Sequence, residues 1–343
     1  MKRRIGILTA GGDCPGLNAA IRSVAKTAII EHDMEVFGFI GGFKGLIENE
    51  YIALTEEKVS GILTLGGTIL GTSREKPMKK NHPDDFEPDQ KSKQIKETVN
   101  MLQLECIVCI GGNGTMKNAH ALSKIGIPVI GIPKTIDNDV WGTEVTFGFD
   151  SAVQICTDAI DRLHTTASSH KRVIVIEVMG HDAGWIALHS GIAGGGDVIL
   201  IPEIEYDISI VCNYLMKREA LGKPVSIVVV GEGVKTGKKR TPGPYLAKKI
   251  NELTGIETRE TVLGYIQRGG SPTATDRILA TRYGQFATSL IAQKQYNSMV
   301  SITNNILGSI PISETAGKTK IIEPDYELIK TARSLGVCFG DGC

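Results

Sequence analysis

Aromatic residues are few in this chain, 5% of 343 residues, and no apolar stretch approaches the ~20 residues needed to cross a bilayer. The opening, MKRRIGILTAGGD, carries only a four-residue apolar run before its glycines, too short for a secretory signal. Charge of one sign is also lacking: 38 basic residues meet 38 acidic ones, and no long block of like charge stands out. That balance gives no ground for nucleic acid or a membrane surface as partner, and the chain reads as a cytoplasmic globular protein. Two nucleotide-binding patterns are absent. Neither GxxxxGK followed by Ser or Thr nor GxGxxG occurs, which removes the common phosphate loop and, with the dinucleotide fingerprint, a dehydrogenase. Seven cysteines is an odd number. Cys106 and Cys109 have CxxC spacing, but they lie in LECIVCI, an apolar run ending in glycines. A buried strand sends residues three apart to opposite faces, so the pair reads as packing rather than a metal or redox site, with reduced thiols throughout.

Glycine is what the chain has in excess: 40 residues, well above the usual ~7%, mostly in short clusters after apolar runs. The length suits two α/β domains of ~150 residues each. Apolar, β-rich runs predict strands at 4–9, 35–40, 105–110, 127–132, 173–178, 198–202, 225–230 and 262–266. Amphipathic stretches between them predict helices near 17–31, 90–103, 115–124, 147–168, 183–193, 208–221, 243–254 and 273–292. Strands apolar on both faces and separated by helices imply a doubly wound α/β fold with mainly parallel sheets. Ligands in such sheets bind beyond the carboxyl ends of strands. The segments found there are AGGDCPGLN, GGNGTMK, PKTIDND, MGHDAGW, GEGV and QRGG. Six polar or glycine-rich tails on one sheet edge favour a cleft.

GGNGT running into a helix suits polyphosphate: Gly111, Gly112 and Gly114 let the backbone approach anionic oxygens, and Thr115 can cap the helix whose amides face the same charge. A packing turn is the alternative reading. GGDCPGLN offers a second such turn. PKTIDND places two carboxylates two residues apart beside Thr and Lys, the set needed to accept a hydroxyl proton and balance charge in phosphoryl transfer. An Asx turn with Asp137 and Asn138 bonding their own backbone is the competing reading.

GGDCPGLNAAIR, GGTILGTSR, GGNGT, PKTIDND, SSHKRVIVIEVMG, AGWIAL and GIETRETVLGYIQRGGSPTATDRILA occur in order over residues 5–286. Together they resemble the phosphofructokinase family. The resemblance implies two Rossmann-like domains with the active site in the cleft between them, residues 1–138 plus 252–303 binding the phosphoryl donor and 139–251 plus 304–343 the sugar phosphate. It implies transfer of the γ-phosphoryl group of ATP to the C1 hydroxyl of fructose 6-phosphate, with Mg²⁺, in a homotetramer or alternatively a dimer. By similarity, Asp137 is the general base, with Thr135 and Asp139 beside it. Arg172 neutralises the transferring phosphoryl group and Arg259 holds the 6-phosphate, both across a subunit boundary. Guanidinium suits these roles because its fork bonds phosphate bidentately. Arg268 resembles the other 6-phosphate ligand, and Met179, Gly180 and Glu232 resemble sugar contacts. Gly12, Arg74, Glu75, Gly112, Asn113, Gly114, Thr115 and Lys134 fall where the family binds its donor.

Several positions depart from the family pattern. Asn113 stands where ATP-dependent members carry the Asp that meets Mg²⁺, so metal must rely on water, substrate oxygens or carboxylates such as Asp13 or Asp137. Gly114 is the ATP-like residue, whereas Lys134 is typical of pyrophosphate enzymes; ATP is the favoured donor, pyrophosphate the alternative. His181 replaces an arginine and Tyr265 a histidine, both beside the sugar phosphate, so another ketose phosphate is open. Together with Asn113 they leave open a catalytically impaired sugar-phosphate-binding paralogue, against which Asp137, Asp139, Thr135 and Arg172 are all kept. Arg22, Lys223 and Asp197 match effector-site positions, but Glu56, His164 and Leu221 stand where further cations are expected, which predicts weak control by ADP or phosphoenolpyruvate.

Overall fold

A computed structural model describes residues 2–78, 89–237 and 241–342. The described chain divides into two compact units. The first comprises Met1–Thr135, Asp139–Asp150 and Arg268–Lys320; the second comprises Ile136–Asn138, Ser151–Gln267 and Ile321–Cys343.

In the first unit the strands are β1 (Arg4–Thr9), β2 (Glu35–Phe39), β3 (Tyr51–Ala53), β4 (Cys106–Gly111), β5 (Val129–Pro133), β10 (Ser298–Thr303) and β11 (Ile306–Pro311). They form one sheet of order β11-β10-β5-β4-β1-β2-β3, parallel except for the β2–β3 and β10–β11 pairs. Its core gathers Leu8, Phe39, Ile107, Met116, Val129 and Met299. In the second unit β6 (Val173–Val178), β7 (Val198–Leu200), β8 (Ser226–Gly231) and β9 (Thr258–Val262) form an all-parallel sheet of order β7-β8-β6-β9. Val175, Leu200, Val228 and Val230 fill its core with Leu215 and Leu246 from helices Ile208–Ala220 and Pro242–Thr254. Central strands such as VIVIEV are buried at every position, as parallel strands covered on both faces must be.

The eight expected helices all form, within a few residues of their predicted bounds. One strand expectation changes, and three strands, β3, β10 and β11, were not expected. The segment expected to be strand 262–266 is largely a 3-10 turn, Gly264–Arg268, and the strand lies earlier, at TRETV. TRETV is an edge strand with an exposed polar face, so it has no apolar run to betray it. The β10–β11 hairpin turns through Asn304 and Asn305, both at positive φ, the backbone of a two-residue type I′ turn. These pairings move the unit boundaries. Residues 252–267, expected with the donor domain, carry β9 and belong to the second unit; 304–320, expected with the sugar domain, carry β11 and belong to the first. Residues 238–240 and 343 of the expected sugar domain lie outside the described residues. The six polar tails divide accordingly between two sheets rather than lining one edge.

Cys14, Cys106, Cys109, Cys156 and Cys212 carry free, buried thiols. Cys338 is disulfide-bonded and departs from the expectation of reduced thiols throughout. Among the described residues no helix is long and apolar enough to cross a membrane.

Candidate active site

The seven-stranded sheet reverses direction of winding between β1 and β4, which lie side by side although far apart in sequence. A crevice forms beyond the carboxyl ends at such a switch point, and the two glycine turns occupy it. Gly111 ends β4 where a Cβ would lie 2.1 Å from Thr115 Oγ1, so the turn accepts no larger residue. Helix Asn113–Lys124 starts at Gly112 with no side-chain cap, leaving its first amides available to an anion. Thr115, expected as the cap, instead donates its hydroxyl to Ala10 O at 3.3 Å. It sits three residues past the capping position, Gly112, and its hydroxyl reaches the residue after β1, so it ties the two turns together. Lys134, at the end of β5 and 3% exposed, donates to Gly12 O and braces the same turn from below. Arg268 donates to Asp13 O at 3.2 Å and lies against Gly12, where a Cβ would meet Nη1 at 2.6 Å. A Cβ at Gly114 would meet nothing within 4 Å, so the turn is open where a larger residue would fill it. Gly11 N donates to Ser73 O at 3.3 Å, bringing the loop with exposed Arg74 beside the turn, while Glu75 pairs with Lys91.

The unit division runs through PKTIDND: Thr135 and Asp139 belong to the first unit, Asp137 and Asn138 to the second. Thr135 is buried, and its carbonyl accepts from Thr146 Oγ1 at 2.7 Å. Asn138 takes φ +51, a left-handed conformation that Asn tolerates, so the chain turns between the two aspartates instead of running on as a strand. Asp139 is held by the phosphate-turn helix: Asn113 Nδ2 donates to its carbonyl at 3.0 Å and to Oδ2 at 2.9 Å. Both partners are acceptors, so the amide group of Asn113 must face them. Asp139 O also accepts from Lys320 N at 2.8 Å, next to a bridge between Val140 and Thr319. Burial pushes the Lys320 ammonium down to about 8, against the pull of Asp139 and Glu144. Sequence reasoning missed Lys320, which lies beyond the family motifs of residues 5–286.

In the second unit, Met179, Gly180 and His181 follow β6. Glu232 Oε1, beyond β8, accepts from Gly180 N at 3.3 Å and His181 N at 2.9 Å, and so shapes that turn. Gly180 has φ +144, and a Cβ there would lie 2.5 Å from Ala183 O. Buried Gln267 accepts from Met179 N at 3.0 Å and donates to Gly264 O at 3.0 Å; it lies inside a recognised motif but had not been singled out. A cavity of about 500 Å³ beside this turn is lined by Glu177, His181, Glu232 and Thr241, a volume suited to a small ligand. Burial raises the Glu177 carboxyl, although Gly243 N donates to it at 2.7 Å. Tyr265 is 77% exposed, and exposed His181 lies 3.1 Å from Asp182. Arg172 and Arg259 converge on one atom, Glu257 Oε1, each at 2.8 Å, while Arg172 Nε is buried without a partner. The Arg172 guanidinium holds the Glu257 carboxyl below its ordinary range. The structure thus brings Met179, Gly180, His181 and Glu232 together, pairs Arg172 with Arg259, and places Arg268 with the donor turns of the first unit.

At the expected effector positions, Asp197 is already engaged: Arg218 lies 2.6 Å from Oδ1 and Ile227 N donates to Oδ2 at 3.0 Å. His164 Nε2 bonds Gly194 O at 2.6 Å, and Leu221 is 69% exposed. A cavity of about 470 Å³ beside Lys223 holds Lys217, Arg218 and Arg333, the last paired with Asp341 at 2.6 Å.

Among the described residues no cluster of three or more His, Cys, Asp or Glu side chains is arranged to hold a metal. Asn113 Oδ1, however, is buried with no hydrogen-bond partner. An amide oxygen is a ligand that Mg²⁺ accepts, with waters and substrate oxygens completing the shell.

A family model described as Phosphofructokinase matches residues 4–291. The chain is 56% identical to ATP-dependent 6-phosphofructokinase 3 of Bacteroides thetaiotaomicron, over 98% of this chain and 100% of that one. It is 53% identical to ATP-dependent 6-phosphofructokinase of Spirochaeta thermophila, over 99% and 98%. Among solved structures, Pichia pastoris phosphofructokinase in the T-state superposes with a TM-score of 0.84 at 30% identity, covering 92% of this chain and 35% of that longer one.

Proposed function

The chain belongs to the phosphofructokinase family, and from that premise we propose that Asp137 takes the proton from the C1 hydroxyl of fructose 6-phosphate as the γ-phosphoryl group of ATP is transferred to its oxygen. The protein is an enzyme, a phosphotransferase with an alcohol acceptor, and its reaction converts ATP and fructose 6-phosphate to ADP and fructose 1,6-bisphosphate. In this reading the Gly11–Gly12 and Gly111–Gly114 turns and the first amides of helix Asn113–Lys124 bind the donor phosphates, with Arg74 at their edge. Open space at Gly114 supports a nucleotide donor. Lys134 is a brace under the turn, since its ammonium is buried on the Gly12 carbonyl. Met179, Gly180 and Glu232 orient the sugar, Arg172 balances charge on the moving phosphoryl group, and Arg259 and Arg268 take the 6-phosphate. A carboxylate as general base suits a loose transition state, in which proton transfer comes late.

The observation that carries this reading is the pair of hydrogen bonds from Asn113 to Asp139, which sets the carboxylate motif against the phosphate turn. Mg²⁺ would be held through Asn113 Oδ1 with donor oxygens, and when bound it neutralises charge on the phosphates. The enzyme acts in the cytoplasm as a homotetramer, with a dimer as the second choice, and Arg172 and Arg259 serve the neighbouring subunit's substrate. Their meeting on Glu257 supports a shared task for the two guanidinia. Parallel coupled assays with ATP and pyrophosphate test the donor: turnover with ATP is expected, and exclusive use of pyrophosphate would overturn it. Activity that persists in a diluted, verified monomer would overturn the shared site.

A further inference from the structure

We propose that Lys320, supplied by the C-terminal segment, is a positioning residue for phosphoryl transfer that fixes Asp139 together with Asn113. The inference rests on the reading of Asp139 as part of the catalytic group. Asp139 is gripped by two elements far apart in sequence: Asn113 Nδ2 holds its carbonyl at 3.0 Å and Oδ2 at 2.9 Å, and Lys320 N holds the same carbonyl at 2.8 Å. The Lys320 side chain then returns over the segment following Asp139, where Nζ donates to Thr143 O at 3.1 Å and Glu144 O at 2.6 Å. Two backbone carbonyls fix where the charge sits, and that charge is felt by Asp139.

A neutral side chain would fill this space without desolvating a charge, which is costly unless something nearby uses it. The neighbouring composition supplies the use. With Asn at 113, a neutral amide holds Asp139 Oδ2, and the Lys320 charge is attracted by Asp139 and Glu144 alike. With Asp at 113, a second carboxylate would meet Asp139 Oδ2, and a divalent ion would be needed to offset the added charge. Asn113 and Lys320 therefore act as a set.

The test uses full-length enzyme in the ATP and fructose 6-phosphate assay, with K320Q, K320R, D139N and K320Q/D139N. K320Q keeps a donor for the carbonyls and removes the charge. Its kcat is expected to fall about tenfold or more, with KM for both substrates within about threefold, while K320R recovers most of the loss. In the D139N background, adding K320Q is expected to change kcat less than about twofold, because the two act as a unit. K320Q within twofold of the parent, or losses that multiply in the double variant, would overturn the proposal. A fully active D139N would instead remove the catalytic reading of Asp139. K320M is the second neutral variant; if neither it nor K320Q folds, Lys320 is structural and the positioning role is wrong.

Discussion

Replacing Asn113 with Asp changes one amide to one carboxylate at the point where the phosphate turn meets the carboxylate motif. Nδ2 lies 2.9 Å from Asp139 Oδ2 and 3.0 Å from its carbonyl oxygen, and a carboxylate can donate to neither. The smallest cost is loss of a charge-assisted hydrogen bond, about 1.5–3 kcal/mol. The largest is set by two unit charges about 3 Å apart, which repel by about 5.5 kcal/mol at an effective dielectric of about 20. Rotation of the new side chain or a divalent ion between the carboxylates relieves the repulsion. Thermal unfolding in EDTA and in millimolar MgCl₂, without nucleotide, reads both effects. N113D is expected to melt about 3–10 °C below the parent in EDTA and to regain much of that difference with Mg²⁺, whereas the parent responds little. Equal melting temperatures in EDTA, or no Mg²⁺ response in the variant, would refute the assignment of the Asn113 amide to Asp139.

Gly111→Ala forces a Cβ to within 2.1 Å of Thr115 Oγ1; a loss of about 1–3 kcal/mol in stability and a raised KM for ATP are expected, checked by calorimetry and initial rates. Glu257→Gln weakens the carboxylate's hold on Arg172 and Arg259, so KM for fructose 6-phosphate should fall severalfold; an increase would show that Glu257 orients the arginines instead of competing with phosphate. Because Asp197 is committed to Arg218 and the Ile227 amide, fructose 6-phosphate saturation should be hyperbolic and insensitive to ADP or phosphoenolpyruvate; sigmoidal kinetics relieved by ADP would contradict this.

Buried parallel strands and the glycine turns behind them are legible because each reflects a local demand: a run apolar on both faces, or a backbone that must approach something closely. VIVIEV and GGNGT both carry such signals. TRETV does not, since an edge strand with an exposed face needs no apolar run. The β10–β11 hairpin was marked by Asn304 and Asn305 between alternating apolar residues, a signal present and overlooked. The glycine turns named by family motif follow β1 and β4 as expected, whereas Arg259 falls in β9 and Tyr265 in a 3-10 turn, and the partners of these residues were not legible. Asp139 meets Asn113 and Lys320 across 26 and 181 positions of sequence, and nothing local to Lys320 announces that meeting. Glu257 lies just before β9 and meets both Arg172 and Arg259, a pairing that no local signal marks. Thr115 fits a capping pattern by composition, yet its position in the first turn directs the hydroxyl to β1.

Phosphoryl transfer with Asp137 as base is tested most directly by measuring fructose 1,6-bisphosphate formed from ATP by the parent and by D137N, with fructose 6-phosphate binding followed by calorimetry on the same preparations. The expected result is product from ATP with the parent, and a kcat about 10²–10⁴ lower in D137N while the binding constant changes less than about threefold. D137N turning over at the parental rate would contradict the assignment of the base.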